Sequence, residues 1–170
     1  MQEYFEDEGV DGLTLSAYFT DPNTVCSNVV SKQQVTGDRL IIYSSRKQLS
    51  VPLNEANVDK NNWFQGNCFP TMGRHYWRNE RTLQSSLANI GDPDSDDFFP
   101  VFLLFNNKKL NGFGWAFNAN LTSPRYEHPT QPVYPLFFKQ VPKFLNDKSK
   151  SGVQSTLHIY LDNTPLLNFC

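Results

Sequence analysis

The sequence predicts an all-β fold: a single-domain antiparallel β-sandwich or closed barrel, with one short helix at about residues 80–90 and long loops. Three observations carry that expectation. An unbroken apolar run at 98–105 meets Asn106-Asn107-Lys108-Lys109 and returns as Phe113-Gly114-Trp115-Ala116-Phe117, the pattern of a buried hairpin. Several other short segments alternate apolar and polar residues between turn signals. Strand–helix–strand alternation, the mark of a parallel α/β sheet, is nearly absent.

In chain order, residues 13–19 alternate and stop at Asp21-Pro22-Asn23, and residues 39–44 form a second strand after the turn Thr36-Gly37-Asp38. Residues 48–53 give a shorter strand. Residues 54–74 are rich in Asn, Pro and Gly without a period and read as a long loop. The helix follows: Leu83, Leu87 and Ile90 recur at helical spacing, Asn79 caps the start, Glu80 sits in the first turn and Gly91 stops it. After the hairpin, residues 119–132 form a second long loop. Residues 133–139 read as an edge strand, because Pro135 donates nothing to a ladder. Residues 155–161 are the last strand. Phe113, Trp115 and Phe117 share one strand face and are assigned to the core.

A chain of 170 residues fits one domain spanning 1–170 and buries roughly two-thirds of its unfolded surface. A formal net charge of -2 provides no broad positive field, which argues against nucleic acid or an anionic membrane as a partner. No apolar stretch approaches the roughly 18 residues of a membrane span. The lysines at 139, 143, 148 and 150 lie among Asn, Asp, Ser and Gly and read as a solvated loop.

Cys26, Cys68 and Cys170 show none of the close spacings of zinc ribbons or thioredoxin-like sites. Two of them are expected to pair, with connectivity left open, and Cys170 suits a staple on a terminal segment. A disulfide, a glycosylation acceptor at Asn120-Leu121-Thr122 and a composition high in Asn, Pro and aromatics point to an extracellular protein, with three free thiols in a reducing, cytoplasmic compartment as the alternative.

The three histidines stand in distant segments. In the last strand, Leu157, Ile159 and Leu161 alternate with Thr156, His158 and Tyr160, so His158 faces away from the most apolar surface. A centre of His75, His128 and His158 holding zinc or copper, with Glu127 as base, would make a metal-dependent enzyme or metal-binding protein. Asp92, Asp94 and Asp96 alternate on a turn as calcium ligands do; Asp97 and Leu103 occupy places where an EF-hand needs Gly and Glu, which rejects that motif and leaves a looser surface calcium site as the lesser cofactor alternative. There is no nucleophile elbow and no phosphate-binding glycine loop.

The aromatic inventory supplies the preferred function: a secreted protein recognising a small molecule or glycan at a loop-covered site, with Trp63, Tyr76, Trp77, Tyr126 and Tyr160 as contacts. A self-assembling matrix protein is a third class, requiring an exposed apolar patch or an unpaired Cys170.

Overall fold

The structure is a computed structural model that describes residues 15–20, 39–44, 47–78, 101–146 and 153–170. Among these residues, β1 (Leu15–Tyr18), β2 (Leu40–Ser44) and β3 (Lys47–Val51) form one antiparallel sheet. A second holds β4 (Trp63–Phe69), β5 (Gly73–Arg78), β6 (Val101–Asn106), β7 (Lys109–Phe117) and β8 (Ser155–Tyr160), in that order. The strands β4 and β8 are not neighbours, so no barrel closes and the sandwich alternative holds. The helix expected near 80–90, the aspartates 92, 94 and 96, and Cys26 lie outside the described residues.

The β6–β7 hairpin forms as its sequence predicts. Asn106 pairs with Lys109, leaving a two-residue turn in which Asn107 (φ 49) and Lys108 (φ 64) are both left-handed. Such a turn matches the twist of paired strands, and Asn is among the residues that adopt this backbone readily. The Lys108 carbonyl accepts the Glu55 N–H, and Leu110 N–H donates to Leu53, which fastens the chain leaving β3 to the hairpin.

Alternation splits the five-stranded sheet into two unlike faces. On one, Trp63, Tyr76, Leu103, Phe105, Phe113 and Trp115 pack against Leu40, Ile42 and Val51 of the smaller sheet. Full burial of side chains such as Phe105 and Phe113 contributes about 1.5 to 3 kcal/mol each. On the other face, Trp77, Phe102, Leu104 and Ala116 meet Tyr134, Phe138 and Leu145. These last three come from a covering segment that carries α1 (Tyr134–Phe137) and α2 (Lys143–Asn146), Phe138 following α1 directly.

Two expectations are corrected here. Residues 133–137 are helical and 138–139 leave the helix, so no edge strand forms there: Pro135 lies at the start of α1, where its missing N–H costs no helical bond. The supposed loop at 54–74 contains all of β4 and the start of β5. A register shift between Gln65 and Cys68 is what erases the alternation there. The irregular stretch has a use. Asn67 Nδ2 donates to the carbonyls of Pro135 and Phe138, at 2.9 and 3.0 Å, and so ends α1 and clamps the cover to the sheet. At Gly66 the Phe137 carbonyl occupies the place a Cβ would take.

The C-terminal segment docks on the same sheet. Cys170 is bonded to Cys68, with Cα atoms 6.1 Å apart. The buried Asn168 accepts from Asn106 Nδ2 through its side chain and from Thr71 N–H through its carbonyl. Thr71 has φ 76, an unusual conformation for a β-branched residue, and the Asn168 contact holds it there. Leu166, Leu167 and Phe169 remain exposed.

Candidate functional site

The site lies between the second face of the large sheet and its cover. It begins with small residues in β7. Phe113, Trp115 and Phe117 point toward the smaller sheet, so Gly112, Gly114 and Ala116 point the opposite way. Gly114 is obligatory, since a Cβ there would collide with the Leu157 carbonyl and the Phe102 ring. With at most a methyl group on these positions, the larger residues of the neighbouring strands stand around a hollow.

Register supplies the walls. Phe102 pairs with Trp77 on one side and Gly114 on the other; His75 pairs with Leu104; His158 pairs with Gly114. All therefore share one face. The resulting cavity has a volume of about 40 Å³, room for roughly three waters or a small chemical group. Its walls are mainly apolar: Trp77, Phe102 and Ala116 from the sheet, and Tyr134, Phe137, Phe138 and Leu145 from the cover. The polar residues are His75, Glu127, Gln154, Thr156 and His158.

Glu127 belongs to the long loop after β7 but is fixed by backbone pairing. Its N–H donates to the Thr156 carbonyl and its carbonyl accepts the Thr156 N–H, both at 2.9 Å. Facing residues in an antiparallel pair share a side, so this bridge puts Glu127 beside Thr156 on the cavity face. Its carboxylate is exposed, and the cavity therefore reaches solvent at that point.

The adjacent residue must then point the other way, and His128 does: its Nδ1 lies 3.1 Å from the Gln154 carbonyl and 3.2 Å from Ser155 Oγ. The three histidines accordingly do not converge. His75 and His158 meet edge to face, with ring centroids 6.4 Å apart, while His128 sits beyond the strand. Among the described residues no group of three His, Cys, Asp or Glu side chains is placed to hold a metal ion.

Burial sets the charge of the two cavity imidazoles. His75, at 1% exposure, is held neutral: desolvation, reinforced by the neighbouring His158, pushes its pKa down to about 3, only partly opposed by the Asn67 and Gly73 backbone. Desolvation also lowers the His158 pKa, against an opposing pull from Glu127. Tyr160 stacks on His158 at 6.1 Å, and burial, Glu127 and Asp162 raise its phenol pKa.

Three buried nitrogens here have no hydrogen-bond partner: His75 Nδ1, Trp77 Nε1 and His158 Nδ1, the last lying 3.5 Å from the Glu127 carboxylate. An unsatisfied buried polar group costs about 1 to 3 kcal/mol, so three around one cavity require an explanation.

The residues expected from sequence divide accordingly. Trp77, His75, His158 and Glu127 line the cavity, and Tyr160 packs beside it. Trp63 and Tyr76 belong to the other face: Trp63 lies under the Arg78 guanidinium, and Tyr76 donates to Glu55. Tyr126 is half-buried in the loop and is not among the lining residues. Phe102, Ala116, Tyr134, Phe137 and Phe138 went unnoticed as site residues. The signal for the sheet members was available, since Gly112-x-Gly114-x-Ala116 is a run of small residues opposite a run of aromatics.

Compared with models of known protein families, with curated protein sequences and with solved structures, the chain matches none.

Proposed function

We propose that this chain is a secreted binding protein whose cavity takes a small, mostly apolar ligand carrying at least one hydrogen-bond acceptor. The observation behind this reading is an aromatic-walled hollow lined by three residues whose buried ring nitrogens have no hydrogen-bond partner. A neutral imidazole can donate or accept, but an indole N–H only donates, so Trp77 specifically calls for an acceptor. An apolar pocket with a few convergent polar groups and shifted pKa values is the usual form of a small-molecule site.

A glycan platform is the weaker form of this idea. Stacking on a sugar needs exposed ring faces, whereas Trp63, Tyr76 and Trp77 are all buried. Export is supported by the bond between Cys68 and Cys170, since such bonds persist mainly in oxidising compartments. In that setting the exposed Asn120 would be open to glycosylation. The self-assembly reading loses one support because Cys170 is paired.

A ligand-observed NMR screen of small aromatic and aliphatic fragments tests the proposal, with Ala116→Leu as control. Ala116 lines the cavity at 5% exposure, so the larger side chain fills the hollow. Fragments should bind the parent protein and lose binding in the filled variant. Equal binding to both, or no fragment binding at all, would contradict the proposal.

A further inference from the structure

Resting on the pocket reading above and narrowing it, we propose that the ligand is a small organic cation bearing an acceptor oxygen, with its ammonium group between the aromatic walls and the Glu127 carboxylate.

A charge census of the cavity favours this class. Among the described lining residues Glu127 is the one carboxylate, and no Lys or Arg is present. Two backbone hydrogen bonds to Thr156 set the Glu127 residue on the cavity face, with its carboxylate at the exposed mouth. The two imidazoles do not offset it at neutral pH, as burial disfavours their protonated forms. An anion would enter against Glu127 with no compensating cation. A neutral molecule would gain at most a hydrogen bond from Glu127, without charge attraction. A cation alone is attracted by it, and its interaction strengthens as the cavity sheds water.

The walls act in the same direction. Trp77, Phe102, Tyr134, Phe137 and Phe138 surround the hollow, and aromatic rings attract ammonium groups through their quadrupoles. Neutral imidazole nitrogens at His75 and His158 can accept from an ammonium N–H, while Trp77 Nε1 donates to the ligand oxygen. A cavity of about 40 Å³ restricts the choice to compact ammonium compounds.

The test compares molecules that share one short skeleton: ethanolamine, its neutral carbon analogue propan-1-ol, and the anion propanoate. Each is titrated into 15N-labelled protein while the Trp77 indole N–H resonance is followed, in the parent chain and in Glu127→Gln. Glu127 is exposed, so this variant leaves the core intact. Ethanolamine should bind at least about tenfold tighter than the alcohol, with the carboxylate weakest. In Glu127→Gln the preference for ethanolamine should fall severalfold while alcohol binding stays constant. Equal or tighter binding of the alcohol or the carboxylate would overturn cation selectivity yet leave the pocket standing. Failure of ethanolamine to move the Trp77 signal would also overturn it; the fragment screen then decides separately whether the pocket binds anything.

Discussion

His158 Nδ1 lies 3.5 Å from Glu127 Oε2, the imidazole buried and the carboxylate exposed. At that length the contact is too long for a good hydrogen bond, and its effect is electrostatic. The carboxylate raises the His158 pKa while desolvation, the larger influence, lowers it. Glu127→Gln removes the opposing effect, so the His158 pKa should fall further. An NMR titration of the ring resonances measures the change; a rise or no change would show that the two groups are not coupled as described.

Burial of His75 makes the fold acid-sensitive. With a folded pKa of about 3 against about 6.5 unfolded, this ring carries a proton in the unfolded chain but not the folded one throughout the interval between. Stability from this group is complete above pH 6.5 and declines as acid is added, by about 4 to 5 kcal/mol at pH 3 on that difference alone. His158 shifts in the same direction and adds to the loss. Replacing His75 with Phe, which suits a place against Trp77, Phe102 and Phe137, should flatten the fall in thermal midpoint between pH 7 and 4. An unchanged pH slope would count against this assignment.

The glycines at 66 and 114 are spatial requirements of different kinds. Gly114→Ala drives a methyl group into the Leu157 carbonyl and the Phe102 ring, within the sheet itself. Gly66→Ala meets the Phe137 carbonyl, which belongs to the cover. Both should destabilise by about 1 to 3 kcal/mol or more. Hydrogen exchange should separate them: Gly114→Ala loosens β6 to β8, and Gly66→Ala loosens residues 134–138 first.

The Cys68–Cys170 bond spans a separation of 102 residues. Restricting so long a loop in the unfolded chain gives the double variant Cys68→Ser, Cys170→Ser an expected loss of about 2 to 5 kcal/mol. Denaturant unfolding of the two proteins measures it. A loss near zero would mean that the Asn168 contacts hold the segment without the bond.

Much of the sandwich was legible in the sequence because β2, β6, β7 and β8 keep a simple relation between period and face. The side of β8 carrying His158 was legible for the same reason. What escaped notice depends on a break in that relation. At β4 the register shift and Gly66-Asn67 hide a strand, and the apolar run 133–139 is short enough to suit either strand or helix. The supposed three-histidine centre failed on parity: once Glu127 pairs with Thr156, the next residue must face away. Sequence patterns identified His75, Trp77 and His158, but only the register brings them together around the small side chains of β7.

The most direct measurement is a crystal structure of the protein with the tightest fragment from the screen. The account predicts ligand density between Trp77, Phe102 and Phe137, with a ligand acceptor in hydrogen-bond range of Trp77 Nε1. A cavity closed by Phe137 and Phe138, with the fragment seated elsewhere, would contradict it.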